Sequence, residues 1–308
     1  MRRLTNFLKL MRPIQWVKNV FVVVPLIFSK NLFNVSLFSQ SFLTFLSFCM
    51  AASSIYIVND IADRKLDIIH PVKKTRPIAS GEVSIGAGLV TSAVLLILSF
   101  LLLSLGRVPP GCWLAISTYV VVNLFYSFAL KKVVLIDVFV IAVGFILRIL
   151  AGGYAIDVKI SSWLIMTTLF IAIFLGIAKR RSEFVQMEGS PSETARKVLA
   201  DYDLSLIDQI LSVSAASVII TYALYTVSER TVHAFGTEAL IFTTIFVVYG
   251  IFRYLYLIHK MGLGENPTGV ILADKPMIIN IVFYVISLVA IIYKQELIHI
   301  ILKYVSLS

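Results

Sequence analysis

One short stretch of the chain carries a dense set of oxygen ligands: Asn59-Asp60-Ile61-Ala62-Asp63-Arg64-Lys65-Leu66-Asp67. On a continuing helix, positions 59, 60, 63 and 67 share one face, because residues three and four apart are neighbours. Three carboxylates and a carboxamide aimed one way repel each other unless a cation lies between them. Hard oxygen ligands suit Mg2+, which takes one or two carboxylates and leaves positions for substrate phosphates. The competing reading is a solvated acidic helix end. Directly downstream runs His70-Pro71-Val72-Lys73-Lys74-Thr75-Arg76-Pro77. Taken alone it is ordinary membrane-side charge. Beside a metal site, its Lys and Arg side chains would neutralise the oxygens of a diphosphate that the metal leaves uncovered.

Two further cations stand inside apolar sequence. Arg148 follows Asp137 at helical spacing (137, 141, 144, 148), and Arg253 has Tyr249 and Tyr256 beside it. Charge inside a membrane is costly and marks a functional candidate. At about 1.5 Å per residue, Arg148 lies some two-thirds of the way across a bilayer, so a structural partner fits it equally well. For Arg253 the two readings are balanced. The four histidines are scattered, with no zinc-ligand spacing, and neither a dinucleotide fingerprint nor a P-loop is present. Cys49 and Cys112 sit in apolar surroundings, as small hydrophobes do.

The elements that position these groups follow from composition. Of 308 residues, 59% are hydrophobic and 14% charged, with a mean hydropathy of +0.92. A soluble domain has about 45–50% and 25%. A soluble fold cannot hide so much apolar surface, and disordered chains have the opposite bias. Within hydrocarbon only helices and closed barrels satisfy the backbone, and the long unbroken apolar runs exclude alternating barrel strands. The fold class is therefore all-α: a polytopic bundle of nine transmembrane helices forming a single transmembrane domain over 1–308. The spans fall near 13–29, 41–59, 84–106, 110–130, 133–155, 163–179, 205–227, 237–259 and 277–296. The first reads as a span and not as a cleaved leader. Pro109-Pro110, Gly189-Ser190-Pro191, Asn266-Pro267 and Pro276 punctuate the links.

Net charge is +10, and its distribution orients the bundle. Nineteen of the 27 Lys and Arg residues fall on the side of the N-terminus and six on the other, giving N-in, C-out. The basic balance thus points to a membrane and not to nucleic acid. Twelve of the 17 acidic residues crowd the same, cytoplasmic side, which the positive-inside rule does not require. Both signs on one face imply a site for charged ligands among its loops and helix ends. Polar residues gathered at one face, with none lining a path across, argue against a transporter.

An Asn-Asp-x-x-Asp-x-x-x-Asp signature closing the second of nine helices resembles the UbiA-type intramembrane prenyltransferase superfamily. Seven segments in order resemble one branch, the polyprenyl-phosphate (decaprenyl-phosphate) phosphoribosyltransferases of cell-wall synthesis. They are Arg12-Pro13-x-Gln15-Trp16-Val17-Lys18-Asn19, Tyr56-Ile57-Val58-Asn59-Asp60, His70 to Pro77, and Tyr126-Ser127-x-x-Leu130-Lys131. Asp137 with Gly144-Phe145-x-Leu147-Arg148-x-x-Ala151-Gly152-Gly153 follows, then Lys179-Arg180-Arg181-x-Glu183, then Gly264-Glu265-Asn266-Pro267-Thr268 with Asp274-Lys275-Pro276. Ordinary members of the superfamily have a second aspartate-rich motif after the sixth helix. Here that stretch reads Lys179-Arg180-Arg181-Ser182-Glu183; Asp201 and Asp203 are the alternative carriers of displaced acids.

The resemblance implies transfer of a phosphoribosyl group from phosphoribosyl diphosphate to a polyprenyl phosphate, with Mg2+ as cofactor, on the cytoplasmic side of the cell membrane. It implies that Asn59, Asp60 and Asp63 hold the metal or its water shell, with Asp67 joining through water as a third catalytic carboxylate. Lys73 and Arg76 would meet the donor's diphosphate, and Lys179 and Arg180 its terminal phosphate. Tyr126, Lys131 and Glu183 would belong to the substrate site, Asp137 would accept from ribose hydroxyls, and Lys18 would meet the lipid phosphate. A homo-oligomer is also implied. The alternative within the superfamily is a prenyltransferase that moves an isoprenoid chain from its diphosphate to an aromatic acceptor.

Overall fold

The computed structural model describes residues 2–188, 202–261, 267–296 and 298. The sequence features at Gly189-Ser190-Pro191, Glu193, Arg196-Lys197, Asp201, Gly264-Glu265-Asn266 and Lys303 lie outside the described residues. Among those described, all regular structure is helical, and nine helical segments are long and apolar enough to cross a membrane.

The first span is broken. Helix α1 (Arg2–Met11) stops at Arg12, which takes a left-handed conformation (φ 52°, ψ 59°) ahead of Pro13. Proline disfavours helical geometry at the preceding residue, and the cost of a left-handed non-glycine is accepted here at a charged side chain that is put to use. The chain continues as a 3-10 stretch (Pro13–Val22) and a short helix α2 (Val24–Phe28). The second span, α3 (Val35–Ala62), starts where Asn34 Oδ1 accepts from the amides of Ser36 and Leu37. After a short α4 (Arg64–Ile69) come α5 (Ile85–Leu105), α6 (Pro110–Phe128) and α7 (Ile136–Ala155). Ser84 caps α5 and Pro110 opens α6, a position where the missing N–H costs nothing.

The second half runs through α8 (Ser162–Glu188), α9 (Leu204–Val227), α10 (Glu229–Phe235), α11 (Thr244–Lys260), α12 (Pro267–Ala273) and α13 (Lys275–Ile292). Helix α7 belongs to the two largest of the four apolar clusters. Ala151 and Ala155 pack with residues of α3, α5 and α6, while Val138, Ala142 and Phe145 pack with α8, α9 and α11. Gly152 permits one of these contacts: a Cβ there would lie 2.0 Å from the Val22 carbonyl oxygen. Hydroxyls join α3 to α5, Ser47 Oγ to the Ser99 carbonyl at 2.8 Å and Ser54 Oγ to Ser92 Oγ at 2.8 Å, as small residues do in lipid-embedded packing. Spans α3 and α7 are the two most buried, and each carries one buried acid of the site, Asp60 and Asp137.

Candidate active site at one end of the bundle

Helix α3 does not continue through the acidic stretch as its spacing suggests. It ends at Ala62; Asp63 takes bridge-region dihedrals (φ −89°, ψ 0°), and α4 restarts at Arg64. The Asp67 amide still bonds the Asp63 carbonyl at 2.9 Å, so the shared face survives the break. Three cations from three other elements converge on it. Arg12, turned by the break before Pro13, bonds Asp60 Oδ1. Arg76, from the loop after α4, donates to Asp60 Oδ1 at 3.1 Å and to Asp67 Oδ2 at 2.6 Å. Lys131, between α6 and α7, bonds Asp63 Oδ1 and reaches Asn59 Oδ1 at 3.3 Å. Asn59 closes the set by donating to Asp63 Oδ2 at 3.1 Å. Lys73 lies half-buried on the loop that carries Arg76. Asp60 is 2% exposed, whereas the Arg12 and Arg76 side chains are about a quarter exposed.

A second cluster surrounds the end of α8. Arg180, 1% exposed, holds Asp137 Oδ2 at 2.6 Å through Nε and Glu183 through Nη1. Lys179 stands 3.8 Å from Glu183 Oε1, and Tyr126 lies beside Arg180. Asp137 is fully buried at the start of α7, and its other oxygen accepts from the Tyr202 hydroxyl at 3.3 Å. That hydroxyl also accepts from the Leu135 amide at 2.8 Å, and burial raises its pKa above the ordinary phenol value. Leu135 is the centre of a tight γ-turn (φ 64°, ψ −41°) closed by Ile136 N to Val134 O at 2.7 Å. Such turns are rare and strained. Here one sets Asp137 under Arg180 while Lys131, four residues earlier, points to the first cluster.

The site residues expected from sequence therefore fall into two groups. Asn59, Asp60, Asp63, Asp67, Arg76 and Lys131 are joined by direct contacts; Asp137, Lys179, Arg180 and Glu183, with Tyr126 adjacent, form the other. Lys18 touches neither. Asp137 is closed off behind Arg180 and Tyr202. Asp203 is exposed at the N-cap position of α9, where its side chain makes no capping hydrogen bond. Arg253 is tied to Asp274 by two hydrogen bonds, 3.1 and 2.8 Å, and lies over the Tyr256 ring. It braces α11 against the start of α13. Arg148 is not paired with Asp137 despite their common face. Sequence reasoning left Arg12, Tyr202 and Asn19 without roles. The signal for Arg12 was the Arg-Pro pair, which forces a break and turns one charged side chain out of register.

The first cluster's donors, three carboxylates and a carboxamide, are all oxygen, the chemistry of a hard divalent cation. Among the described residues no three acidic, His or Cys side chains form a ready-made cage. The carboxylates are occupied by Arg12, Arg76 and Lys131 instead. Donors of this kind fit a metal that takes two protein carboxylates and completes its shell with water and substrate phosphate.

Residues 21–268 match the model of the UbiA prenyltransferase family. The chain is 31% identical over 294 residues to a decaprenyl-phosphate phosphoribosyltransferase of Corynebacterium glutamicum, covering 94% of this chain and 87% of that protein. It is 30% identical over 304 residues to the protein of the same name from Mycolicibacterium smegmatis, covering 94% and 93%. In fold it is similar to a UbiA homolog from Archaeoglobus fulgidus bound to GPP and Mg2+, with a TM-score of 0.71 at 17% identity over 93% of this chain and 99% of that one. The chain belongs to the UbiA prenyltransferase family and is a multi-pass membrane transferase.

Proposed function

We propose that the chain transfers a 5-phosphoribosyl group from phosphoribosyl diphosphate to a polyprenyl phosphate and releases diphosphate, as a single catalytic domain over 1–308. The observation that carries this reading is the build of the second cluster. At the end of α8 the chain presents Lys179 and Arg180, and the acids beside them, Asp137 and Glu183, are taken up by Arg180. With these acids neutralised by Arg180, the second cluster offers no free carboxylate pair to a metal, and Lys179, a third exposed at its rim, is placed to meet a second anionic group directly. The names of the curated relatives agree with that division.

In this reading Asp60 and Asp63, with Asn59 beside them and Asp67 behind, hold Mg2+ together with the donor's diphosphate. When bound there, the metal neutralises charge building on the leaving group. Arg76 and Lys73 take the diphosphate oxygens that remain, Arg76 trading a carboxylate for phosphate. Lys179 meets the donor's terminal phosphate from the rim of the second cluster, and the buried Arg180 lends its charge from behind. Asp137, Glu183 and Tyr126 fix the direction of Arg180, so Asp137 acts through the arginine instead of on the ribose. Lys131 holds Asp63 in place, and Lys18 meets the lipid phosphate. The acceptor is already an oxyanion, so no general base is required. The bond from the anomeric carbon to diphosphate breaks as a phosphate oxygen of the lipid bonds to that carbon from the opposite side. The ribose carries oxocarbenium character in between, and the anomeric configuration inverts, by analogy with glycosyl transfer. The site opens on the cytoplasmic side of the cell membrane, and the chain works as a homo-oligomer.

The test supplies purified protein with labelled phosphoribosyl diphosphate and a polyprenyl phosphate, with Mg2+ or with chelator. A labelled lipid that requires Mg2+ is expected. Equal product in chelator removes the metal assignment, and product of retained configuration removes the single-displacement step.

A further inference from the structure

Below the second cluster, helices α8, α9, α11 and α13 leave a cavity of about 190 Å³ between them, with Phe174, Val218, Ile251, Tyr254, Met277 and Ile281 in its wall. Phe174 precedes Arg180 by six residues, about 9 Å along α8. His259, next to the end of α11, lies 3.5 Å from Asp208, which also holds Arg181. The cavity therefore belongs to the end of the bundle that carries the second cluster. It is reached from the lipid side of α13. That helix is the least buried of the nine described spans, and Ile281, in the cavity wall, is 40% exposed.

The wall is apolar except at three side chains. Asn280 spends an amide N–H on the Phe246 carbonyl at 2.9 Å, and the Tyr284 ring packs edge-on against Tyr222 and Phe246. Tyr254 is different. It is 2% exposed, its ring packs against Phe174 at 5.4 Å, and among the described residues its hydroxyl has no hydrogen-bond partner. Burying a phenol without an acceptor is costly, and buried tyrosines usually find one. Water does not answer the need, because a water in a cavity requires two to four polar partners and this wall supplies few. An isoprenoid hydrocarbon fills the space but carries no acceptor. An apolar chain with a carbonyl at its head satisfies both the space and the hydroxyl.

Depth selects the kind of carbonyl. Tyr254 lies six residues, about 9 Å, inside Lys260 at the end of α11, where a headgroup layer of about 6 Å gives way to hydrocarbon. The glycerol esters of phospholipids sit at that boundary. Lys260 and Lys275 are exposed at the ends of α11 and α13, the latter two residues from Met277, and they suit a phosphate. We propose that the cavity binds one acyl chain of a bilayer phospholipid, whose ester carbonyl accepts from the Tyr254 hydroxyl and whose phosphate meets Lys260 and Lys275. Bound there, the lipid fastens α13 to α8, the helix that carries Lys179 and Arg180. The lipid site stands whichever group the protein transfers.

The test titrates lipid onto delipidated full-length protein in detergent and resolves the first bound copy by native mass spectrometry. Dioleoyl phosphatidylglycerol is compared with its diether analogue, which keeps the chains and the charge but lacks the carbonyls. Wild type is expected to bind the ester lipid about fivefold more tightly than the diether. Tyr254→Phe, which removes only the hydroxyl, is expected to bind the two alike. Gly250 lines the cavity, and a Cβ there meets Asn280 Nδ2 at 3.4 Å, an ordinary contact. Gly250→Leu fills the space and is expected to weaken both lipids about tenfold. Equal affinity of wild type for ester and diether overturns the proposal, as does an ester preference that persists in Tyr254→Phe; these two results decide the matter if Gly250→Leu does not fold. A folded Gly250→Leu protein that binds like wild type overturns it too. One-for-one displacement of the phospholipid by farnesyl phosphate assigns the cavity to an isoprenoid chain and also overturns it.

Discussion

In the first cluster, Asp60, Asp63 and Asp67 reach cations delivered by the broken first span, the loop after α4 and the link between α6 and α7. In the second, Asp137, Arg180 and Glu183 are sealed between α7 and α8, with Arg180 at 1% and Asp137 at 0% exposure. Both clusters are balanced in charge, yet they answer to a ligand differently. A partly exposed arginine on a loop exchanges a carboxylate for a phosphate at little cost. A fully buried ion pair does not, because separating it strands a charge in a medium of low dielectric. In the proposed reaction the first cluster is therefore the part that changes partners, and the second, apart from Lys179 at its rim, is a fixed wall.

That contrast yields ordered predictions. The largest effect falls on Asp60, where Arg12 and Arg76 meet. Asp60→Ala should lower kcat/KM at least about a hundredfold while the protein still elutes as a folded species; size-exclusion and initial-rate measurements check both halves. Arg180→Met should act on stability first. Leaving Asp137 and Glu183 buried without their cation costs about 3–5 kcal/mol, so the melting temperature in detergent should fall sharply. An Arg180→Met protein that melts like wild type would break the comparison. Lys179→Ala, at the more exposed edge of the second cluster, should raise the KM for phosphoribosyl diphosphate about five- to tenfold with the melting temperature unchanged.

The smallest effect lies away from both clusters. Asp274 caps α13 by accepting from the Met277 amide at 2.9 Å, and its bond from Arg253 holds its carboxyl below the ordinary value of 3.8. A depressed carboxylate stabilises the fold above the ordinary value and loses that contribution as pH falls through the folded one. Asp274→Ala should therefore lower thermal stability slightly at neutral pH, and the difference from wild type should vanish in strong acid.

Nine spans and a charged end were legible in the sequence because composition and apolar run length fix them almost without tertiary information. The acidic face was legible for the same reason: helical spacing through 59, 60, 63 and 67 survives even though α3 stops at Ala62. What spacing did not reveal is which cation meets which acid. Arg12 owes its place to a left-handed break before Pro13, and Arg180 binds Asp137 across 43 positions of chain. Arg148 illustrates the limit most clearly. Its face on α7 suggested Asp137 as a companion, but that acid lies three turns away and is already taken. Pairings of this kind are decided by packing between spans, to which hydropathy is blind.

The central claim is the identity of the group transferred, and one assay addresses it directly. Wild-type protein in nanodiscs is offered phosphoribosyl diphosphate with a polyprenyl phosphate, and geranyl diphosphate with an aromatic acid, in the same Mg2+ buffer. The products are read by mass spectrometry. The account predicts a polyprenyl phosphate enlarged by one phosphoribosyl unit, formed with stoichiometric diphosphate. A prenylated aromatic acid, with the lipid phosphate unchanged, would contradict it.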